Sequence, residues 1–425
     1  MSDVADTSGA RRRCRGRPPG PGELRPTDLV GAFFVAGIAF LCAGALAGAV
    51  AFAEPWRWGR WLALHLVFVG GISQLVLGAS QFFLGAFLAT DPPARGLVRA
   101  QLATWNPGAA LVALGVSLGS SPLMVMGGLL LATGLACYAA GLAAMRRRSL
   151  RRSHLAAAWY GGGAACLALG LPVGVALALG APWPHGELLA AHIALNVGGW
   201  FGGAIVGTLH SFYPSLTRTE LPRPGLERLA LPLWLGGVVA LAFGYAWSLA
   251  PLAMGGWAAL CGAGLALAVN SAGCLRAAPR PLSLPARLLG AAQIFMLAGL
   301  GLALTVSVSE GPAEVAQGEP RAVLAVLLLV GWVGITVLGS LVHLLAVVVR
   351  VRGLRRPLPA PRPRSDRALT WGLALGVVAL AAARAGGGEW LFAPGAALLA
   401  AGYAMLWVRV LALAAAVLTR ARPRV

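Results

Sequence analysis

The chain has 425 residues, of which 58% are hydrophobic and only 11% charged, and its mean hydropathy is +0.77. Soluble globular domains carry near a quarter charged residues, so this composition excludes one and points to a polytopic membrane protein. The formal charge of +20 comes from 34 basic residues, all arginine, against 14 acidic ones, and their placement decides between a nucleic-acid partner and a membrane orientation.

Residues 1–27 are polar, basic and rich in Pro and Gly, with no apolar leader core, and read as a disordered cytoplasmic tail. A single all-α transmembrane domain is predicted over 28–420, with a short cytoplasmic tail at 421–425. Within it, twelve apolar stretches near the ~20 residues of a spanning helix run about 29–53, 61–89, 101–119, 122–145, 155–181, 188–213, 229–249, 251–274, 288–309, 321–349, 368–384 and 391–419. Twelve spans with both termini on one face put 29 arginines on that face and only Arg57, Arg60, Arg321 and Arg384 on the other. By the positive-inside rule the arginine-rich face is cytoplasmic. The expectation is a multi-pass protein of the cytoplasmic membrane with both termini cytoplasmic. Since the charge spreads over every short loop of that face, orientation explains it; the expected surroundings are the lipid bilayer, and no nucleic acid is expected.

Six cysteines (Cys14, Cys42, Cys137, Cys166, Cys261 and Cys274) are scattered singly, without a C-x-x-C pair. Neither a disulfide framework, a thiolate zinc site nor covalently attached haem is indicated.

The second, sixth and tenth spans resemble one another: VGGISQLVLG from Val69, VGGWFGGAIVG from Val197 and VGWVGITVLG from Val330. Each has two glycines eight residues apart (Gly70 and Gly78, Gly199 and Gly207, Gly331 and Gly339), at offsets of 129 and 132 residues between copies. This spacing predicts three repeat units, about 29–150, 151–275 and 276–420, and a pseudo-threefold arrangement of four-helix units.

Ionisable residues within spans are costly, and each is a candidate for function. No Asp or Glu falls in the middle of a span, which argues against proton coupling through a buried carboxylate. His154 and His185 fall in loops, whereas His65, His192, His210 and His343 lie in the three repeated spans. Span direction pairs them by depth, His65 with His192 towards the outer surface and His210 with His343 towards the inner one. On the sixth span, His192 and His210 are 18 residues apart, and Asn196, Gly199, Gly203 and Gly207 share their face. A face without side chains leaves room for a close helix or a flat macrocycle. Neutral imidazole is a good ligand for haem iron and copper, so haem b, with copper as a further candidate, is the expected cofactor. Arg409, the one charge well inside a span, could pair with a haem propionate or extend to the interface. Gln74 and Gln81 point away from His65 and read as interhelical glue.

With histidines on the second, sixth and tenth of twelve spans in three four-helix units, the chain resembles, distantly, subunit I of the haem–copper oxidase superfamily. It is also similar to stand-alone polytopic haem- and copper-containing membrane proteins. The resemblance implies that His65 corresponds to the low-spin haem ligand of the second helix and His192, more generally, to a ligand on the sixth. The seventh span lacks a His-His pair, the tenth has a single His near the wrong end, and the sixth has no His-x-x-x-Tyr, so an oxygen-reducing binuclear centre is not expected. The expected function is a membrane haem-b protein in transmembrane electron transfer or diatomic-gas binding, with a redox protein or quinol as partner. The alternatives are a transporter or a cofactor-free accessory subunit, and no catalytic residue is assigned.

Overall fold

A computed structural model of the chain describes residues 26–149, 155–351 and 363–418. Both terminal tails, His154 and the loop arginines at 151, 152 and 352–362 lie outside the described residues, together with the expectations placed on them. The described residues form twelve long helices and no strand. They are α1 Pro26–Ala53, α2 Gly59–Leu88, α3 Arg95–Leu118, α4 Ser121–Arg148, α5 Leu155–Ala178, α6 His185–Thr217, α7 Pro224–Ala246, α8 Ala250–Ala277, α9 Leu284–Ser309, α10 Gly318–Val351, α11 Pro363–Arg384 and α12 Phe392–Leu418. Eleven of them are long and apolar enough to cross a membrane. The exception is α3, whose 24 residues include Arg95, Arg99, Gln101, Asn106 and Pro107. Its polar groups face neighbours: Gln74 Nε2 donates to Asn106 Oδ1 (2.7 Å), and Gln81 and Gln101 exchange amide hydrogen bonds of 3.0 and 3.3 Å. Gln74 and Gln81 are thus the interhelical glue expected of them.

Lipid offers no hydrophobic force to bring helices together, so close van der Waals approach at small residues does most of the work. The glycines eight apart are the seats for that approach, used three times. In the first unit a Cβ on Gly70 would collide with Phe40 of α1, and one on Gly78 would lie 2.7 Å from Phe33 Cβ. In the second, Cys166 and Trp159 of α5 occupy the space over Gly199 and Gly207. In the third, Phe295 of α9 sits 2.8 Å from the Cβ position of Gly331, and Leu289 sits 2.7 Å from that of Gly339. The last two helices of each unit are locked by a second reciprocal pair. Gly108 and Gly127 join α3 to α4, Gly237 and Gly256 join α7 to α8, and Gly376 and Gly395 join α11 to α12, each glycine facing backbone of the partner helix. The repeat read from one motif therefore recurs in packing.

The seat-bearing helices α2, α6 and α10 are the longest, at 30, 33 and 34 residues, and they meet at the centre. Phe68 and Phe201 rings lie 5.2 Å apart, Phe83 and Phe212 5.2 Å, and Phe212 and His343 5.3 Å. Trp200 Nε1 donates to Ser73 Oγ at 3.0 Å. Each of the three contains a π-helical stretch, Leu66–Ile72, Ala194–Gly202 and Ala325–Gly334. Such runs are rare and concentrate at functional sites. Widening the turn disturbs the backbone ladder, and aromatic side chains supply donors to carbonyls inside each run. Trp105 Nε1 donates to Val69 O (2.9 Å), Trp234 Nε1 to Gly198 O (2.9 Å) and Tyr403 Oη to Val330 O (2.6 Å). The first two sit on α3 and α7, 129 residues apart like their acceptors. In the third unit α11 turns its Trp371 outward, 66% exposed, and α12 provides the donor instead.

Trp105→Phe and Trp234→Phe keep the ring and remove the N–H, so each should cost about 1–3 kcal/mol for the buried carbonyl left unpaired. Thermal melting in detergent measures this; Trp371→Phe, at an exposed position, should change it little.

Candidate functional site

His65 is the last residue before the π-stretch of α2, and His192 lies two residues before that of α6. Both are at the end of the bundle away from most arginines, at the same end of α2 and α6. His65 Nδ1 is 2.9 Å from the Trp61 carbonyl oxygen, one turn back, and its ring stacks on the Trp61 indole at 3.8 Å. His192 Nδ1 is 3.1 Å from the Gly170 carbonyl oxygen of α5. A carbonyl oxygen only accepts, so in both residues Nδ1 carries the proton and Nε2 keeps its lone pair. Backbone carbonyls commonly fix ligand histidines this way. Asn196 Nδ2 donates to the His192 carbonyl oxygen (2.7 Å), and with the proton on Nδ1 it makes no hydrogen bond to the ring. The corresponding position of α10, before its π-stretch, is Leu324, so the third unit offers no ligand there.

The other two histidines are not brought together. His210 faces α5 and α8: its ring lies 6.4 Å from that of Trp159, and Asn270 Nδ2 donates to its Nδ1 at 3.5 Å. The proton is therefore on Nε2, which is buried without a hydrogen-bond partner in the structure. His343 packs instead on Phe212. Two residues along a helix turn the side chain by about 200°, so His210 and Phe212 leave α6 on opposite sides. Matching depth predicted a pair; azimuth separates it. Asn270 also binds the Arg223 backbone, accepting from N at 3.0 Å and donating to O at 3.2 Å, which ties the α6–α7 loop to α8.

Arg409 forms an ion pair with Asp366 Oδ1 at 2.8 Å. The carboxylate comes from the first turn of α11, so the charge expected to meet a propionate is already balanced within the protein. Sequence reasoning missed this partner because Asp366 falls in a stretch read as loop. The glycine face of α6 is likewise occupied, by α5. Cys166 covers Gly199, Trp159 covers Gly207, and the Cβ position of Gly203 has Leu235 at 3.8 Å and the Gly163 Cα at 3.9 Å. Of the two uses open to that face, close helix packing is the one observed. Where α2, α6 and α10 converge, a cavity of about 90 Å³ is lined by Ser80, Thr208, Thr336 and Ser340 among apolar groups, room for about three waters and too little for a macrocycle. Among the described residues, no group of three or more His, Cys, Asp or Glu is placed to hold a metal ion. What the structure offers is thus two imidazoles at one end of the bundle, His65 on α2 and His192 on α6, each with its Nδ1 against a backbone carbonyl.

Compared with protein-family profiles and with curated proteins, the chain matches none.

Gly207→Ala should destabilise by about 1–3 kcal/mol because the methyl meets the Trp159 ring root. Gly203→Ala, with nothing nearer than 3.8 Å, should stay within about 0.5 kcal/mol. Melting temperatures of the two variants check the contrast, and equal values would refute these seats.

Proposed function

We propose that the chain is an integral haem-b protein of the cytoplasmic membrane, working in one-electron transfer, with His65 and His192 as the ligand pair. The observation that carries this reading is the matched pair of neutral imidazoles, each fixed through Nδ1 by a backbone carbonyl and each keeping its Nε2 lone pair. A bis-imidazole haem b supplies a one-electron couple whose potential depends on ligands and surroundings. Trp61 and the Gly170 carbonyl orient the two rings, and Phe68 and Phe201 join α2 to α6 further along the same helices. Because two imidazoles would hold the group, electron transfer fits better than gas binding. The same two nitrogens would also suit copper(I), which prefers few, soft or imidazole donors. A separated His210 and His343 remove the second centre, so electrons would enter and leave from the His65 end, through a quinol or a docked redox protein. The arginine distribution supports an orientation with that end outward and both termini cytoplasmic.

Purified protein should show a reduced b-type α-band, lost in His65→Ala and in His192→Ala and kept in His210→Ala and His343→Ala. Colourless wild-type protein lacking copper as well as haem, or a band that survives both outer substitutions, would refute the assignment. Reporter fusions at residue 315 and at the C-terminus should be active on opposite sides of the membrane; activity on the same side overturns the orientation.

A further inference from the structure

The junctions between successive repeat units are not alike. Between the second and third units, α8 and α9 close on each other: the Cβ position of Gly264 has Leu300 at 2.9 Å and Met296 at 3.3 Å, and Cys261 Sγ donates to the Leu300 carbonyl oxygen. Between the first and second units, α4 and α5 meet near the other end of the bundle, where the Cβ position of Gly128 lies 2.9 Å from Val175. From there they splay. The opening is a groove of about 870 Å³, within the size range of pockets that hold whole ligands. Its walls are almost wholly apolar and mostly small, such as Ala136 and Ala139 on α4 and Ala165 and Ala168 on α5. At Gly161 the wall is bare, with no heavy atom within 4 Å of a Cβ position.

One charged residue lines the groove, Arg146, at its arginine-rich end. Its neighbours Arg147 and Arg148 complete a basic last turn of α4. Arg148 is engaged, its guanidinium donating to the Pro92 carbonyl oxygen at 3.1 Å, whereas the Arg146 guanidinium has no ion-pair or hydrogen-bond partner among the described residues. The distance from Gly128 to Arg146 is 18 residues, or about 27 Å of helix, close to the ~30 Å thickness of a bilayer core. The groove thus crosses both leaflets but is charged at one end only.

We infer that the arginine-side half of this groove is a binding site for one anionic phospholipid, its phosphate on Arg146 and its acyl chains between α4 and α5. The apolar walls solvate the chains and the single unpaired guanidinium selects the headgroup. The other half, lacking charge, takes acyl chain from the opposite leaflet without headgroup preference. The site depends on neither the histidines nor a cofactor.

Full-length protein in mild detergent, titrated with phosphatidylglycerol or phosphatidylcholine and read by native mass spectrometry, tests this. Wild type should bind the anionic lipid about fivefold more tightly, the scale of one basic residue near a charged headgroup. Arg146→Gln should abolish that preference, weakening phosphatidylglycerol more than phosphatidylcholine, and Arg147→Gln should preserve it. Gly161→Leu, which fills the groove without touching backbone, should weaken both lipids. Melting curves of the variants should match wild type, which separates lipid loss from misfolding. Equal affinity for the two lipids in wild type, or phosphatidylglycerol binding unaltered in both Arg146→Gln and Gly161→Leu, would overturn the site.

Discussion

The architecture depends on one contact used three times. A glycine-bearing helix in the middle of each unit receives a large or medium side chain from the helix before it, at two levels one glycine pair apart. Phe33 and Phe40, Trp159 and Cys166, Leu288 with Leu289 and Phe295 are the knobs; the glycines of α2, α6 and α10 are the holes. In lipid a filled hole is worth more than an apolar surface, because the surrounding chains are as apolar as any side chain. A methyl group at most of these glycines would force the two backbones apart and carry the whole unit with it.

That constraint has a consequence for the centre. With α1, α5 and α9 covering one face of α2, α6 and α10, the remaining face turns inward, where phenylalanines and tryptophans interdigitate across the units. The π-stretches fall on this shared core, and Trp105, Trp234 and Tyr403 reach in from outer helices to satisfy their carbonyls. His65 and His192 stand just before two of the stretches. A widened turn changes the azimuth at which everything before it leaves the helix relative to everything after it, and the upper seats Gly70, Gly199 and Gly331 lie within these turns.

Buried polarity follows the same economy. Between α2 and α3 the Gln74 amide donates to Asn106 and the amides of Gln81 and Gln101 bond each other, and Arg409 is met by Asp366. An unpaired charge or amide at these depths would be expensive, and these pairings let a helix as polar as α3 stay in the bundle. The pairing is incomplete: His210 Nε2, Gln74 Oε1, Gln293 Oε1 and the indole nitrogens of Trp159 and Trp332 are buried without a partner among the described residues.

Composition and hydropathy alone determined that the chain is a helical membrane protein and roughly where its helices run, and the spaced glycines marked positions that recur in the packing. The reason is that a spanning helix must be apolar for about 20 residues whatever it packs against, and a repeated seat must repeat its glycines. The role of those glycines was legible only as a choice between two occupants, since a missing side chain does not say what fills the space. Depth along a helix can be counted from sequence, and His65 and His192 do fall at the same end of the bundle, each next to a π-stretch. Azimuth cannot be counted through a π-stretch or across a helix junction, and it is azimuth that turns His210 towards α5 and α8 while His343 meets Phe212. Long-range partners were equally out of reach. Asp366 for Arg409, Gly170 for His192 and the splay of α4 from α5 arise from how separate helices lean on one another, which only the folded bundle decides.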